Sequence, residues 1–98
     1  MKIEHLYYFL VIANTNSINK AARKLFISQQ HLSRIVNTLE EDLHIKLLHR
    51  TSAGIELTEK GKIFTQFAEK IVNDYREMQS YFYLDALPTI EQEADIHG

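Results

Sequence analysis

Two serines, Ser17 and Ser28, each stand at the head of a short segment with helical apolar spacing, and that pairing limits the fold more than any other feature. A serine hydroxyl just before a helix accepts one of the N–H groups that the first turn leaves without a partner. After Ser17, Ile18, Ala21, Ala22 and Leu25 fall on one face and predict a helix to about residue 25. After Ser28, Leu32, Ile35, Val36, Leu39 and Leu43 form a stripe that predicts a helix over 29–43. Only Phe26 and Ile27 separate the two, and the small side chains of Ala21 and Ala22 let a neighbouring helix approach closely. This is the spacing of a helix-turn-helix. Upstream, Ile3, Leu6, Tyr7, Phe9, Leu10 and Ala13 predict a helix over 3–14, broken by Asn14-Thr15-Asn16.

Downstream the pattern changes. Residues 45–50 and 55–57 suit two short strands, with Thr51-Ser52-Ala53-Gly54 as their turn and Gly54 free to take positive φ. Thr58 then caps a helix predicted over 59–84, about 40 Å long at ~1.5 Å per residue. Along it Phe64, Phe67, Ile71, Tyr75, Met78 and Phe82 recur at three- and four-residue steps, with Ile63, Ala68 and Val72 widening the stripe. Pro88 ends any helix, and residues 88–98, with Glu91, Glu93 and Asp95, are expected to be a disordered tail. The expected class is therefore mainly α: a winged helix-turn-helix (three helices and a small β-hairpin wing) over 1–58, then a long helix over 59–87.

Composition narrows the function classes. At 98 residues the chain is one domain with a modest core. The absence of Cys excludes a disulfide framework, a thiolate zinc site and a cysteine nucleophile. Three Gly and one Pro are too few for a many-turned sandwich or barrel. The longest apolar run, residues 6–13, falls short of the ~20 residues of a membrane span, and no export signal is visible, so a cytoplasmic protein is expected. The net charge of −2 hides an asymmetry: residues 1–60 sum to +2 and residues 61–98 to −4. A local basic face can meet phosphates although the whole chain is acidic; ordinary solvated charge is the plainer account.

The side chains off the stripe of the second serine-headed helix are Gln29, Gln30, His31, Ser33, Arg34 and Asn37. A reading helix places its first exposed residues against base edges in the major groove. Gln pairs bidentately with adenine and Arg with guanine, while Ser, His and Asn serve bases or phosphates. The N-terminus at Ser28 itself favours a phosphate. Glu40, Glu41 and Asp42 come late, are expected to face away from a duplex, and oppose the helix dipole. A polar solvated face with no special role is the competing account. His44 and His49 are five residues apart with no HExxH pattern or carboxylate cluster, and no metal site or other cofactor is expected. Ser33 lacks a nearby base and a glycine-flanked elbow, which argues against an enzyme. Tyr7, Tyr8 and Phe9 read as packing residues.

Residues 1 to about 62 resemble the N-terminal winged helix-turn-helix domain of the LysR-type transcriptional regulators. The resemblance runs through Leu6-Tyr7-Tyr8-Phe9, Ser17-Ile18-Asn19-Lys20-Ala21-Ala22, Leu25-Phe26-Ile27-Ser28-Gln29, Leu32-Ser33-Arg34, Leu39-Glu40, Leu43, Leu47, Arg50, Leu57-Thr58 and Gly61. Residues 63–87 resemble the family's linker helix, which pairs two subunits. The resemblance implies sequence-specific binding of double-stranded promoter DNA at an interrupted palindrome, by a homodimer or, at full length, a tetramer that also contacts RNA polymerase. Contacts to groove and phosphate are implied for Gln29, Gln30, Ser33 and Arg34, and contacts to backbone for Asn19, Lys20 and the wing, with Arg50 and Ser52 its candidates. The helix chemistry adds Ser28, His31 and Asn37 to the candidate DNA-binding set, a simple exposed residue being an equal account of His31. Dimerisation is implied for Phe64, Phe67, Ile71, Tyr75, Met78 and Phe82. A small-molecule effector would bind a C-terminal domain that these residues do not include, so the chain is expected to be a fragment or a natural short form.

Four positions depart from the family pattern. Gln30 stands where proline is usual, which restores an N–H and adds a polar side chain at the groove. His44 replaces a common glycine where a left-handed turn would end the reading helix. Leu48 replaces a frequent aromatic residue, and Ala53 a basic residue at the wing tip. An alternative of another class is a winged-helix protein–protein adaptor that holds its partner on the 64–82 stripe and does not touch DNA.

Overall fold

A computed structural model describes residues 1–82. Its elements in order are α1 (Ile3–Thr15), α2 (Ile18–Leu25), α3 (Gln29–Leu43), β1 (Leu48–Thr51), β2 (Gly54–Leu57) and α4 (Glu59–Phe82). This is the expected winged helix-turn-helix followed by a long helix. The expected tail over 88–98 and residues 83–87 of the expected long helix lie outside the described residues.

Local chemistry sets the helix starts. The Ser17 hydroxyl accepts from the Lys20 N–H at 3.1 Å, and the Ser28 hydroxyl accepts from the His31 N–H at 3.0 Å. Thr58 caps α4 by accepting from the Gly61 N–H at 2.8 Å. Three helices end on left-handed residues that are not glycine: Asn16 (φ 56), Phe26 (φ 58) and His44 (φ 57). Each closes its helix by donating its N–H back to the last turn, at Ile12 O, Ala22 O and Arg23 O, and Glu40 O and Glu41 O respectively.

One core joins all the helices. Leu6, Phe9, Leu10 and Ile12 of α1 pack on Ile18, Ala21 and Ala22 of α2 and on Leu32, Ile35 and Leu39 of α3. Leu47, Leu48 and Ile55 extend it under the wing, and Ala68 and Val72 extend it along α4. Phe9 meets Phe64 edge to face at 5.1 Å between ring centres. Among the described residues no helix is long and apolar enough to cross a membrane.

The structure corrects three expectations. The first strand begins at Leu48, not at 45, because the N–H groups before it are used elsewhere. Ile45 donates to Glu40 O at 3.2 Å, and Leu47 donates to the Glu40 carboxylate at 2.8 Å. The ladder pairs Leu48 with Leu57, His49 with Glu56, Arg50 with Ile55 and Thr51 with Gly54. Second, Glu40 is buried, unlike the exposed Glu41 and Asp42. It lies four residues after Val36 and three before Leu43, on the apolar stripe. Third, the stripe of α4 is two faces rather than one. Gly61, Ala68, Val72 and Gln79 are buried, with Phe64 and Tyr75 half-buried beside them. Ile63, Phe67, Ile71, Met78, Tyr81 and Phe82 are exposed.

Candidate nucleic-acid interface

The buried stripe of α3 leaves an open arc that carries Gln29, Gln30, Arg34 and Asn37, all exposed, with Ser33 half-buried at its edge. The wing closes one side of this arc. Ser33 and Asn37 from α3 and Arg50 from β1 line a single concavity of about 320 Å³ together with Lys46 and His49. Arg50 reaches it because the strand pairing puts Arg50 opposite Ile55, on the side of the hairpin that faces the helices. Ser52 is exposed at the wing tip, where the Thr51 hydroxyl accepts from the Ala53 N–H at 3.2 Å.

His31 is exposed on the first turn of α3, near enough to His5 of α1 to act on it electrostatically. The His5 imidazole is held below its ordinary value of 6.5, first by burial and then by Lys2, with the chain's amino group and His31 adding to the effect and Glu4 opposing it. Asn19 and Lys20 are exposed on the first turn of α2. Of the long-helix residues, Phe67, Ile71, Met78 and Phe82 project outward, whereas Phe64 and Tyr75 are half-covered within the chain.

The orientation of α3 against the wing and α4 depends on a short hub, Lys46, Leu47 and Leu48. The Glu40 carboxylate accepts from the N–H groups of Leu47 at 2.8 Å and Leu48 at 3.3 Å and pairs with the Lys46 ammonium at 3.3 Å. On the other side of the hub, Thr58 donates its N–H to Leu47 O at 3.0 Å and its hydroxyl to Lys46 O at 2.7 Å. Gly61 follows because a Cβ there would collide with the Leu47 carbonyl. A second junction ties the wing to the α1–α2 turn: the Ile55 N–H donates to Asn16 O at 3.4 Å, and a Cβ on Gly54 (φ +134) would crowd the same oxygen. Sequence reasoning missed Glu40, Lys46 and His49. For Glu40 the signal was its place on the apolar stripe; Lys46 and His49 carried none, because a bend in the chain brings them to α3.

Residues 3–62 match the profile of the bacterial regulatory helix-turn-helix proteins of the lysR family. The chain belongs to that family. Its relatives include the HTH-type transcriptional regulator BenM of Acinetobacter baylyi, 41% identical over 80 residues, which are 82% of this chain and 26% of BenM. TfdT of Cupriavidus pinatubonensis, also an HTH-type transcriptional regulator, is 39% identical over 72 residues, or 74% of this chain and 32% of TfdT. The chain thus spans about a quarter to a third of the length of these relatives. The solved structure of the BenM DNA-binding domain with catB site 1 DNA superposes with a TM-score of 0.81 at 40% identity, covering 85% of this chain and 93% of that one. This LysR-family chain is a DNA-binding helix-turn-helix regulatory module and not an enzyme.

Proposed function

We propose that this module reads double-stranded promoter DNA as a homodimer, with α3 in the major groove. The carrying observation is the capped N-terminus of α3 with an uncovered polar arc, flanked by a wing whose Arg50 shares a concavity with Ser33 and Asn37. The BenM DNA-binding domain, alike in fold, was solved in complex with DNA, which supports a DNA-binding role for this module. In this reading Gln29, Gln30, Ser33 and Arg34 meet base edges. Ser28, His31, Asn37, Asn19, Lys20, Arg50 and Ser52 meet the sugar–phosphate backbone or the groove edge.

Antiparallel pairing of two α4 helices through Phe67, Ile71, Met78 and Phe82, with Phe64 and Tyr75 at the margin, covers the exposed apolar face. It also turns two reading helices toward one side of a duplex, with half-sites one or more turns of ~34 Å apart. In this reading the DNA-reading domain spans 1–58 and a linker segment 59–87, of which residues 83–87 lie outside the described residues. Action in the cytoplasm, assembly beyond the dimer and a contact with RNA polymerase belong to the same proposal.

The test is selection of bound duplexes from a random-sequence library by the 98-residue chain, followed by affinity measurements across a salt series. A recovered palindromic motif and a steep fall of affinity with salt are expected, since neutralised phosphates release counterions. Absence of any selected motif, or affinity indifferent to salt, would refute the reading in favour of an apolar adaptor.

A further inference from the structure

Helix α2 carries Lys20, Arg23 and Lys24 and no acidic residue. All three are exposed, and none forms an ion pair among the described residues. Elsewhere Lys46 pairs with Glu40, Lys62 with Glu59 and Lys70 with Asp74, while Lys2 and Lys60 stand singly; among the described residues only α2 gathers three such cations on two turns. Lys20 and Lys24 are four residues apart, a like-charge spacing that weakens a helix. The helix dipole favours Arg23 and Lys24 in the last turn. It does not favour Lys20 in the first turn, nor does it account for where the three point. With Asn14 and Thr15 they line one open concavity of about 480 Å³ at the α1–α2 corner. The Thr15 hydroxyl donates to Ile12 O and Ser17 O, which ties down the corner beneath three exposed cations.

Helical geometry links this cluster to the proposed DNA surface. Arg23 lies one turn beyond Asn19 and Lys24 one turn beyond Lys20, each ~5.4 Å farther along α2. Phosphates of one DNA strand advance by ~3.4 Å per base pair along the duplex axis, so a helix that meets one phosphate with its first turn brings its next turn to the neighbouring ones. We propose that Arg23 and Lys24 continue from Lys20 as a phosphate track that grips the backbone of the duplex whose groove α3 enters. This assignment rests on the DNA-binding reading above and adds to it a contact surface on the second turn of α2. The ligand chemistry is a run of backbone phosphates, read without regard to base sequence.

The experiment compares the 98-residue chain with its Arg23→Gln/Lys24→Gln variant on a duplex recovered by selection and on a scrambled duplex of equal length, across a salt series. Two lost phosphate contacts per protomer predict about tenfold weaker binding to both duplexes and a salt slope shallower by about 2 per protomer. The ratio of selected to scrambled affinity stays unchanged. Thermal unfolding by circular dichroism confirms that the variant is folded, and the single variants Arg23→Gln and Lys24→Gln, each giving half the slope change, stand in if it is not. A variant with wild-type affinity and slope overturns the proposal and leaves the DNA-binding reading intact; the cluster then serves an acidic protein surface or nothing. A collapsed selected-to-scrambled ratio also overturns it, since the residues then act on base recognition. A wild-type chain that prefers no duplex refutes both readings at once.

Discussion

Helices α3 and α4 each bury one side against α1, yet the sides they leave open are opposite in character. On α3 the open arc holds amide, hydroxyl and guanidinium groups, while its three acidic residues lie in the last turn or are buried. On α4 the open arc holds Ile63, Phe67, Ile71, Met78 and Phe82, with Phe67 64% exposed. A polar arc stays in water at no penalty and is available for hydrogen bonds to a hydrated partner. An apolar arc of that extent is stabilised only when another apolar surface covers it. The contrast teaches that one small core can present two open surfaces of different physics: contacts on the polar one weaken with salt, contacts on the apolar one hardly do.

The largest test of this contrast removes the clamp that sets α3 against the wing and α4. Glu40→Ala leaves the N–H groups of Leu47 and Leu48 without an acceptor, each worth ~1–3 kcal/mol when buried. A loss of about 3 kcal/mol in urea unfolding is expected, and a smaller one for Glu40→Gln, whose carbonyl still accepts. An Ala variant as stable as wild type would mean that the hub does not depend on this carboxylate. Next, Phe67→Asp or Ile71→Asp places a charge in the open apolar arc of α4. Sedimentation should show dimer association weakened by about a hundredfold, ~2.7 kcal/mol, with little salt dependence. A wild-type chain that sediments as a monomer would remove the ground for that claim.

Arg34→Ala probes the other arc. A loss of ~1–3 kcal/mol in duplex binding is expected, confined to one base position if Arg34 reads a base and uniform over sequences if it meets phosphate. Self-association should not change, and a variant that lost both properties would show that the two surfaces are not separate. The smallest expected effect is at His5, on α1 near the start of α3. Its folded-state pKa lies below 6.5, so the unfolded chain takes up the proton first as pH falls. Stability should therefore decline on acidification from about pH 7.5 through 6.5 and level off below the folded value. His5→Asn should flatten that decline in thermal unfolding, and an identical pH profile would show that His5 does not contribute.

Much of this was legible in the residues themselves. Ser17, Ser28 and Thr58 announced three helix starts, and each hydroxyl accepts an N–H in the first turn that follows it. His44 stands where the resembled family commonly has a glycine and where a left-handed turn costs a side chain more, and it nonetheless takes that conformation. The open arc of α3 followed from the stripe opposite it. The start of the wing was not legible: Ile45, Lys46 and Leu47 have strand-like composition, and only the competing claims of Glu40 and Thr58 on their backbone keep them out of the ladder. Phe64 was not separable from Phe67 by periodicity either. One packs on Phe9 and the other faces outward, though both suit a broad apolar stripe.

The division has a physical cause. Caps, turns and amphipathic spacing are settled by groups within about four residues of one another, so the chain's own order determines them. The sequence by itself thus determined three serine- or threonine-capped helices, the helix-turn-helix and the long helix after the hairpin. Which half of a wide apolar stripe is covered, and whether a late glutamate is solvated or clamps a backbone bend, depend on elements brought together from distant parts of the chain. Only the tertiary structure decided those, because it alone places α1 against α4 and folds residues 46–48 back onto Glu40.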